Sequence, residues 1–328
     1  MKRRERNMAM MNNSLDIFNK AIQKAKSIAI CSHISPDGDA IGSSTGLYLA
    51  LKDLGKEVYL IKNDKFPEHL NFLEDKSFYT DSKAFETDLF ILTDVSSIER
   101  MGSGNEFYEL SKNSLCIDHH MSNDGFFKNN IIDPYISSTS ELIAKLLLEG
   151  GYKISKLAAS YLYLGITTDT NRFMYDSTDA DTLRIAARLL DLGADKQLIN
   201  LSLFDNLNVN YLFLQAELIK SASFLRDGRF VIAKLSREQL EKYDIDYDQA
   251  EGLVSILKSI SNVELSCLIK EFKTDVQKVS FRSKEEINVS ELAMEFGGGG
   301  HIRASGCTLN MDQEEAFDTM YKRIEQIQ

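Results

Sequence analysis

Four short apolar runs recur through the first half of the chain, and three of them carry His or Asp at or next to their ends. They are SIAICSH (27–33), VYLIKN (58–63), DLFILTDV (88–95) and SLCIDHH (114–120), all rich in Ile, Leu or Val. Runs of this length and composition read as strands buried on both faces. Between the first two, SSTGLYLALKDLG (43–55) has helical periodicity and stops at Gly55. Strand, helix, strand in repetition predicts an α/β fold: a Rossmann-like parallel sheet with helices on both faces.

After Asp133 the pattern turns helical. SSTSELIAKLLLEGG opens with a capping box, Ser138 to Glu141, and ends at Gly150-Gly151. Helical stretches follow at about 155–167 and 178–192. The segment 196–220 is helical in character with no strand beside it, and reads as a connector. Beyond it come a hairpin around Asp227-Gly228, the strands VELSCLIKEF and VQKVSFRS, a Gly297–Gly300 run and a last amphipathic helix. That order describes a smaller α+β domain. The expected organisation is a disordered lead-in at 1–14, a first domain at 15–195, the connector, and a second domain at 221–328. A length of 328 residues agrees with two domains at ~150 residues each.

Composition narrows the function classes. With 43% apolar and 27% charged residues the chain is neither disordered nor fibrous. No apolar run approaches the ~18 residues of a spanning helix, so no membrane is expected. MKRRERNMAMMNNS is basic but lacks the apolar core of a secretory signal, which places the protein in the cytoplasm. Acidic residues outnumber basic ones by 49 to 38, a net charge of −11. Such a chain grips long duplex DNA poorly, although small anions stay open to it where positive charge is concentrated. Cys31, Cys116, Cys267 and Cys307 form no CxxC pair and read as buried reduced thiols.

The chemistry gathers at the ends of the strands. The first run leads into His33-Ile-Ser-Pro-Asp37-Gly-Asp39, the third reaches Asp94, and the fourth ends in Asp118-His119-His120. Ligands of open parallel sheets bind outside the carboxyl ends of the strands, so these residues converge there. Asp169, in LGITTDTNRF, is the sixth member beside His33, Asp37, Asp39, Asp94 and His119. Taken alone, Asp37 and Asp39 would equally serve a turn around Gly38, and Asp94 a strand end. Together, four carboxylates and two imidazoles repel unless cations neutralise them. Oxygen and nitrogen donors without thiolate suit Mn²⁺, Mg²⁺ or Zn²⁺, and six ligands suit two ions bridged by one carboxylate. Phosphate-ester hydrolysis follows from such a pair. In the second half, the consecutive glycines read as a backbone cradle for phosphate, the alternative being a flexible linker. Arg282 reads as a phosphate fork or a base-stacking group, the alternative being a solvated strand arginine.

HISPDGDAIGSS, LTDVSS, IDHH and GITTDTNRF resemble, in order and spacing, the four signatures of the DHH phosphoesterases. FRS (281–283) and GGGGHIRASG (297–306) resemble the DHH-associated C-terminal domain of one branch, the short-oligoribonucleases and pAp phosphatases. The resemblance implies a catalytic DHH domain followed by a substrate-binding domain. It implies one metal on His33, Asp37 and Asp94 and a second on Asp39, Asp94, His119 and Asp169, with Asp94 bridging. Asp118 would orient a ligand or loop, and His120 would lie by the scissile phosphate. Arg282, Gly299, Gly300, His301 and Ser305 would hold the terminal nucleotide; Arg303 stands at a position variable in the family and reads as a phosphate contact only. Asn171 stands where the family often has glycine. The implied cofactors are two divalent cations, Mn²⁺ first and Mg²⁺ or others second. The implied partners are short single-stranded RNA and small nucleotides, with a homodimer as the assembly. The expected activity is hydrolysis of short RNA to mononucleotides and of pAp to AMP, with domain closure across the connector. A cyclic-di-AMP or pApA phosphodiesterase carries the same motifs and is the closest alternative, and a catalytically dead nucleotide sensor would show a damaged ligand set.

Overall fold

The computed structural model describes residues 2–327 apart from 68–69, 71, 73–74, 81–82 and 207. Met1, Leu207 and Gln328, which belong to the expected lead-in, connector and second domain, lie outside the described residues. The chain divides into two units, Met1–Asn206 and Leu207–Gln328.

The first unit is built on a parallel sheet of β1 (Ser27–Cys31), β2 (Glu57–Ile61), β3 (Tyr79–Thr80), β4 (Leu89–Thr93), β5 (Ser114–Asp118) and β6 (Asn129–Ile132). Its order is β3-β2-β1-β4-β5-β6, every pairing parallel. The four apolar runs are the four inner strands. β3 and β6 are edge additions that the sequence reading lacked, because one is two residues long and the other opens with two asparagines. Along β1, Ile28 and Ile30 enter one apolar core while Ala29 and Cys31 enter another on the opposite face. The chain leaves β1 toward β2 on one side and enters β4 on the other. The sheet order therefore reverses between β1 and β4, which opens a crevice at their carboxyl ends.

Five helices matter to the site or the core of this unit: α1 (Lys2–Lys24), α2 (Gly38–Lys52), α4 (Thr139–Glu149), α5 (Lys156–Asp169) and α6 (Ala180–Asp191). α3 (Gly104–Leu110) and α7 (Lys196–Phe204) complete the set. α1 runs through the span expected as a lead-in at 1–14 and on to Lys24. Met11, Leu15, Phe18 and Ile22 recur at helical spacing, with Phe18 and Ile22 buried and the other two packed against the core. α2 starts earlier than the expected 43, because Asp37 caps it by accepting from the Asp39 and Ala40 amides, both at 3.0 Å. α2 and α5 pack on glycine. A Cβ on Gly42 would stand 2.5 Å from the Tyr161 carbonyl oxygen and 2.8 Å from the Gly165 nitrogen.

The second unit carries α8 (Val209–Ser221), β7 (Ser223–Leu225), β8 (Phe230–Leu235), α9 (Arg237–Lys242), α10 (Leu253–Lys258), β9 (Leu265–Lys273) and β10 (Val276–Ser283). α11 (Val289–Met294), β11 (Gly299–His301), β12 (Ala304–Leu309) and α12 (Gln313–Glu325) follow. Its sheet runs β11-β12-β10-β9-β8-β7, with β8 and β9 parallel and every other pair antiparallel. The segment expected as a connector is divided: α7 belongs to the first unit and α8 to the second. All four cysteines are free and buried, and burial pushes the Cys31 and Cys116 thiols up to about 12. No described helix is long and apolar enough to cross a membrane.

If α1 is an integral part of the first unit, Phe18→Ala lowers stability by about 3–5 kcal/mol in urea unfolding. A loss under about 0.5 kcal/mol would show that α1 adds little to the core of the unit.

Candidate functional site

Six side chains from five places in the chain meet at the carboxyl ends of β1, β4 and β5. His33 follows β1, Asp37 and Asp39 open α2, Asp94 follows β4, His119 follows β5, and Asp169 ends α5. Three groups each bring ligand atoms within 4.8 Å of one another: His33, Asp37 and Asp94; Asp39, His119 and Asp169; and Asp94, His119 and His120.

Asp94 is the shared member. Its Oδ2 lies 3.6 Å from His33 Nε2, while its Oδ1 lies 3.7 Å from His119 Nε2 and 3.6 Å from His120 Nδ1. The residue sits at φ 58°, a left-handed conformation tolerated by Asp more readily than by most residues. Its amide donates to Ile117 O at 3.0 Å, and Thr139 Oγ1 donates to its Oδ1 at 3.0 Å. The orientation of His33 is fixed from behind: Nδ1 lies 2.7 Å from the Ile34 carbonyl and 3.0 Å from Arg100 Nη2, which leaves Nε2 facing Asp94 and Asp37. Asp37 spends one oxygen on capping α2 and is otherwise exposed, so turn residue and ligand are compatible roles.

Asp39 is almost wholly buried and faces the start of α4. Its two oxygens accept from the Thr139 amide at 2.7 Å and the Ser140 amide at 2.9 Å. Those amides are unsatisfied within the helix and favour negative charge. Asp169 Oδ2 lies 3.4 Å from His119 Nε2. Asp118 is fully buried; it accepts from His120 Nδ1 at 2.8 Å and from Asn123 Nδ2 at 2.7 Å. Asn123 Nδ2 also donates to Val95 O at 3.0 Å, tying the His120 loop to the strand end beside Asp94.

Titration behaviour reveals a shortage of positive charge. Burial, then the charges of Asp94 and Asp169, holds Asp39 well above the usual carboxylate range. Burial, then Asp94 and Asp37, pushes Asp169 up to about 8. Burial alone would raise Asp94 too, but the His33 hydrogen bond and the imidazoles of His119 and His120 hold it below its ordinary value. Burial would lower His120, but the Asp118 hydrogen bond and the Asp94 charge raise it to about 9. Carboxylates that keep protons near neutral pH, beside imidazoles and without thiolate, form a donor set that fits divalent cations.

In the second unit, Arg282, Ala304 and His301 are directly opposite one another across β10, β12 and β11. Residues paired in this way present side chains to one face, and Ala304 leaves the space between the other two open. Gly299 and Gly300 lie exposed on the edge strand β11, with Gly300 at φ 141°. The glycine run divides in two, because the Gly297 and Gly298 amides donate to Met294 O and Ala293 O and close α11. Ser305 is 6% exposed and its hydroxyl donates to Val289 O. It pairs with Phe281, a core residue, so strand alternation turns it away from the Arg282 face. Arg303 donates to the carbonyls of Ile287, at 2.9 Å, and Glu285. The structure thus brings Arg282, Gly299, Gly300 and His301 together on the three strands at this end of the sheet, where Arg282 Nη1 donates to Phe281 O at 2.9 Å, and commits Ser305 and Arg303 to the backbone.

Sequence reasoning missed Thr139, Ser140, Asn123 and Arg100. The capping motif at Ser138 located the start of α4, but nothing local joins it to Asp39. Nor is that motif reciprocal: Ser138 accepts from the Glu141 amide at 3.0 Å, while Glu141 Oε2 turns to Ser137 Oγ at 2.7 Å and Thr182 Oγ1 at 2.8 Å. Arg100 donates to Ile34 O at 3.3 Å, behind His33. Asn171, where glycine is common in the resembling family, adopts φ 46°, which asparagine accommodates.

A doubly wound parallel sheet carrying a carboxylate–imidazole cluster at its switch point places a site suited to cations where such sheets bind their ligands. Residues 27–166 match the model described as DHH family, N-terminal domain, and residues 227–328 match the DHHA1 domain. A relative from Thermus thermophilus, called bifunctional oligoribonuclease and PAP phosphatase NrnA, is 30% identical over 304 residues, covering 90% of this chain and 89% of its own. The crystal structure of an exopolyphosphatase-related protein from Bacteroides fragilis has a TM-score of 0.88 at 33% identity, with 96% of each chain covered. RecJ from Thermus thermophilus, solved in complex with Mn²⁺, shares the fold at a TM-score of 0.54 and 15% identity over 96% of this chain and 54% of its own. The chain belongs to the DHH family of phosphoesterases and is a hydrolase.

The sign of the pH dependence follows from the raised groups. Asp169 rises from 3.8 to about 8 on folding, so the stability it contributes is complete below 3.8 and lost as pH climbs through 8. His120 rises from 6.5 to about 9, and its contribution is lost as pH climbs through 9. The urea midpoint of chelator-treated protein should therefore fall steadily from pH 6 to pH 9. Binding a divalent cation at pH 7 should release protons, seen as buffer-dependent heat in titration calorimetry. A flat midpoint and buffer-independent heat would contradict the raised carboxylate.

Proposed function

We propose that this protein is a Mn²⁺-dependent phosphoesterase that hydrolyses short oligoribonucleotides to mononucleotides and pAp to AMP. The observation that carries the reading is the Asp94 carboxylate, one oxygen facing His33 and the other facing His119, so that two ligand groups share it. His33, Asp37 and Asp94 would hold one cation, and Asp39, Asp94, His119 and Asp169 the other. When bound, such a pair polarises a phosphoryl oxygen and brings the pKa of a water toward ~7. The activity named for the Thermus thermophilus relative and the Mn²⁺ of the RecJ structure support this choice.

The chain's own residues do the rest. His120, kept charged by Asp118 and Asp94, donates to negative charge developing on the scissile phosphate. Asp118 and Asn123 orient that imidazole. The α4 amides hold Asp39 in place with its remaining lone pairs available to a cation. In the second unit, Arg282, Gly299, Gly300 and His301 bind the terminal nucleotide, while Ser305 and Arg303 shape the edge by fixing the backbone around it. The net charge of −11 favours short single strands and small nucleotides over long duplex DNA. Leu183 and Leu190 on α6 and Leu198 and Leu201 on α7 are exposed, which supports a homodimer, and the cytoplasm is where such RNA fragments arise.

A Mn²⁺ assay resolved by chromatography tests this, with pAp, a five-nucleotide RNA, pApA and cyclic-di-AMP run in parallel. Turnover of pAp and RNA is expected, and Asp94→Asn should reduce it at least about a hundredfold, since even residues that merely orient metal ligands cost 10–100-fold. Asparagine tolerates the left-handed backbone, so the loss reads the missing charge. Fast opening of cyclic-di-AMP with little pAp hydrolysis would overturn the substrate assignment.

A further inference from the structure

A second cavity-bound group of residues lies in the same unit as Arg282 and is used by none of the chemistry above. It is an open depression of about 460 Å³, lined by Tyr247, Lys270, Phe272, Lys278, Gly298 and Gly306 among others. That volume falls within the range of small-molecule sites.

Its walls are aromatic and its charges are cationic. Tyr247 and Phe272 meet edge to face with centroids 5.6 Å apart. Lys270 is 5% exposed; its Nζ lies 3.7 Å from the Tyr247 ring centre and donates to Tyr247 O at 2.9 Å. Lys278 Nζ lies 5.7 Å from the Phe272 ring centre and donates to Thr308 Oγ1 at 2.9 Å. Arg237 stands over both rings, at 5.6 and 5.9 Å. None of these three cations forms an ion pair with another described residue, and the buried Tyr247 hydroxyl has no hydrogen-bond partner. In a chain of net charge −11, three cations around two rings, with Glu251 and Asp248 acting on Lys270 only from beyond ion-pair distance, favour an anion there. Glu251 also lines the cavity. A carboxylate there repels a bare phosphate but accepts from the amino group of a base, so the chemistry is that of a nucleotide.

The cavity continues the face that carries Arg282. Lys278, Ser280 and Arg282 alternate along β10 and project to one side, and Lys278 stands about 13 Å from Arg282 along the strand. We propose that the Tyr247–Lys270–Phe272–Lys278 pocket binds a nucleotide, the unit next to the one held at Arg282 and His301. The pocket rests on its own geometry; that its nucleotide belongs to an RNA rests on the function proposed above.

The test is titration calorimetry on the full chain in chelator, where nothing is hydrolysed, with AMP and with RNAs of two to five nucleotides. The affinity ratio of four-nucleotide to two-nucleotide RNA is expected to fall about tenfold in Lys278→Ala and to recover in Lys278→Arg. Loss of one phosphate contact should also lower the slope of log affinity against log salt by about 0.7 for the longer RNA, a change that a structural role would not produce. Weaker AMP binding with an unchanged length ratio would support the pocket and assign it a free mononucleotide. Unchanged AMP affinity, length ratio and salt slope would overturn it. Turnover of pAp and RNA with Mn²⁺ is read separately, so failure of the enzymatic reading is distinguishable from failure of the pocket.

Discussion

The first unit depends on where Asp94 places its charge. The carboxylate is 2% exposed, at the end of a central strand, in a backbone conformation that costs on the order of 1–3 kcal/mol. A buried carboxylate persists only when its oxygens are occupied. β1 and β5 flank β4, so the loops that follow them approach it from opposite sides and deliver His33 to one oxygen and His119 and His120 to the other. The parallel sheet is thus part of the chemistry, because antiparallel neighbours would carry those loops to opposite ends.

Much of this was legible from residue order alone. Buried parallel strands announce themselves as apolar runs, and the ligand types at their ends were readable because the end of a run is a place in the fold. What failed to register was structure held by weak local signals. β6 opens with Asn129 and Asn130, which disfavour strands, and forms because β5 offers it an edge. The first helix hid behind a basic, Met-rich start, although Phe18 and Ile22 complete its apolar face. Thr139, Ser140 and Asn123 escaped for another reason: each acts on a carboxylate through a hydrogen bond whose partner is set only by the tertiary fold.

The glycine run shows how a motif read as one object divides in space. Its first half closes a helix, with Gly297 at φ 71°, and its second half is an edge strand. Alternation then sorts the residues beyond it. Ala304 faces out between His301 and Arg282, while Ser305 faces the core beside Phe281. A motif matched letter by letter treats these neighbours alike. The pleat separates them.

Two of the six metal-ligand candidates come from helices, and there the close packing of α2 on α5 becomes decisive. Asp39 lies in the first turn of α2 and Asp169 at the last residue of α5. Their approach to His119 requires the helix axes to come nearer than side chains normally permit. Gly42 and Gly165 provide this: a Cβ on Gly165 would fall 1.9 Å from Ser140 Oγ and 2.7 Å from Asp39 Oδ1. The same glycine therefore sets the spacing of α2, α5 and the start of α4, where the amides that hold Asp39 are found. One part of the centre is positioned by strand order and another by the absence of a side chain, and the second part leaves no pattern in the sequence beyond glycines within the two helices.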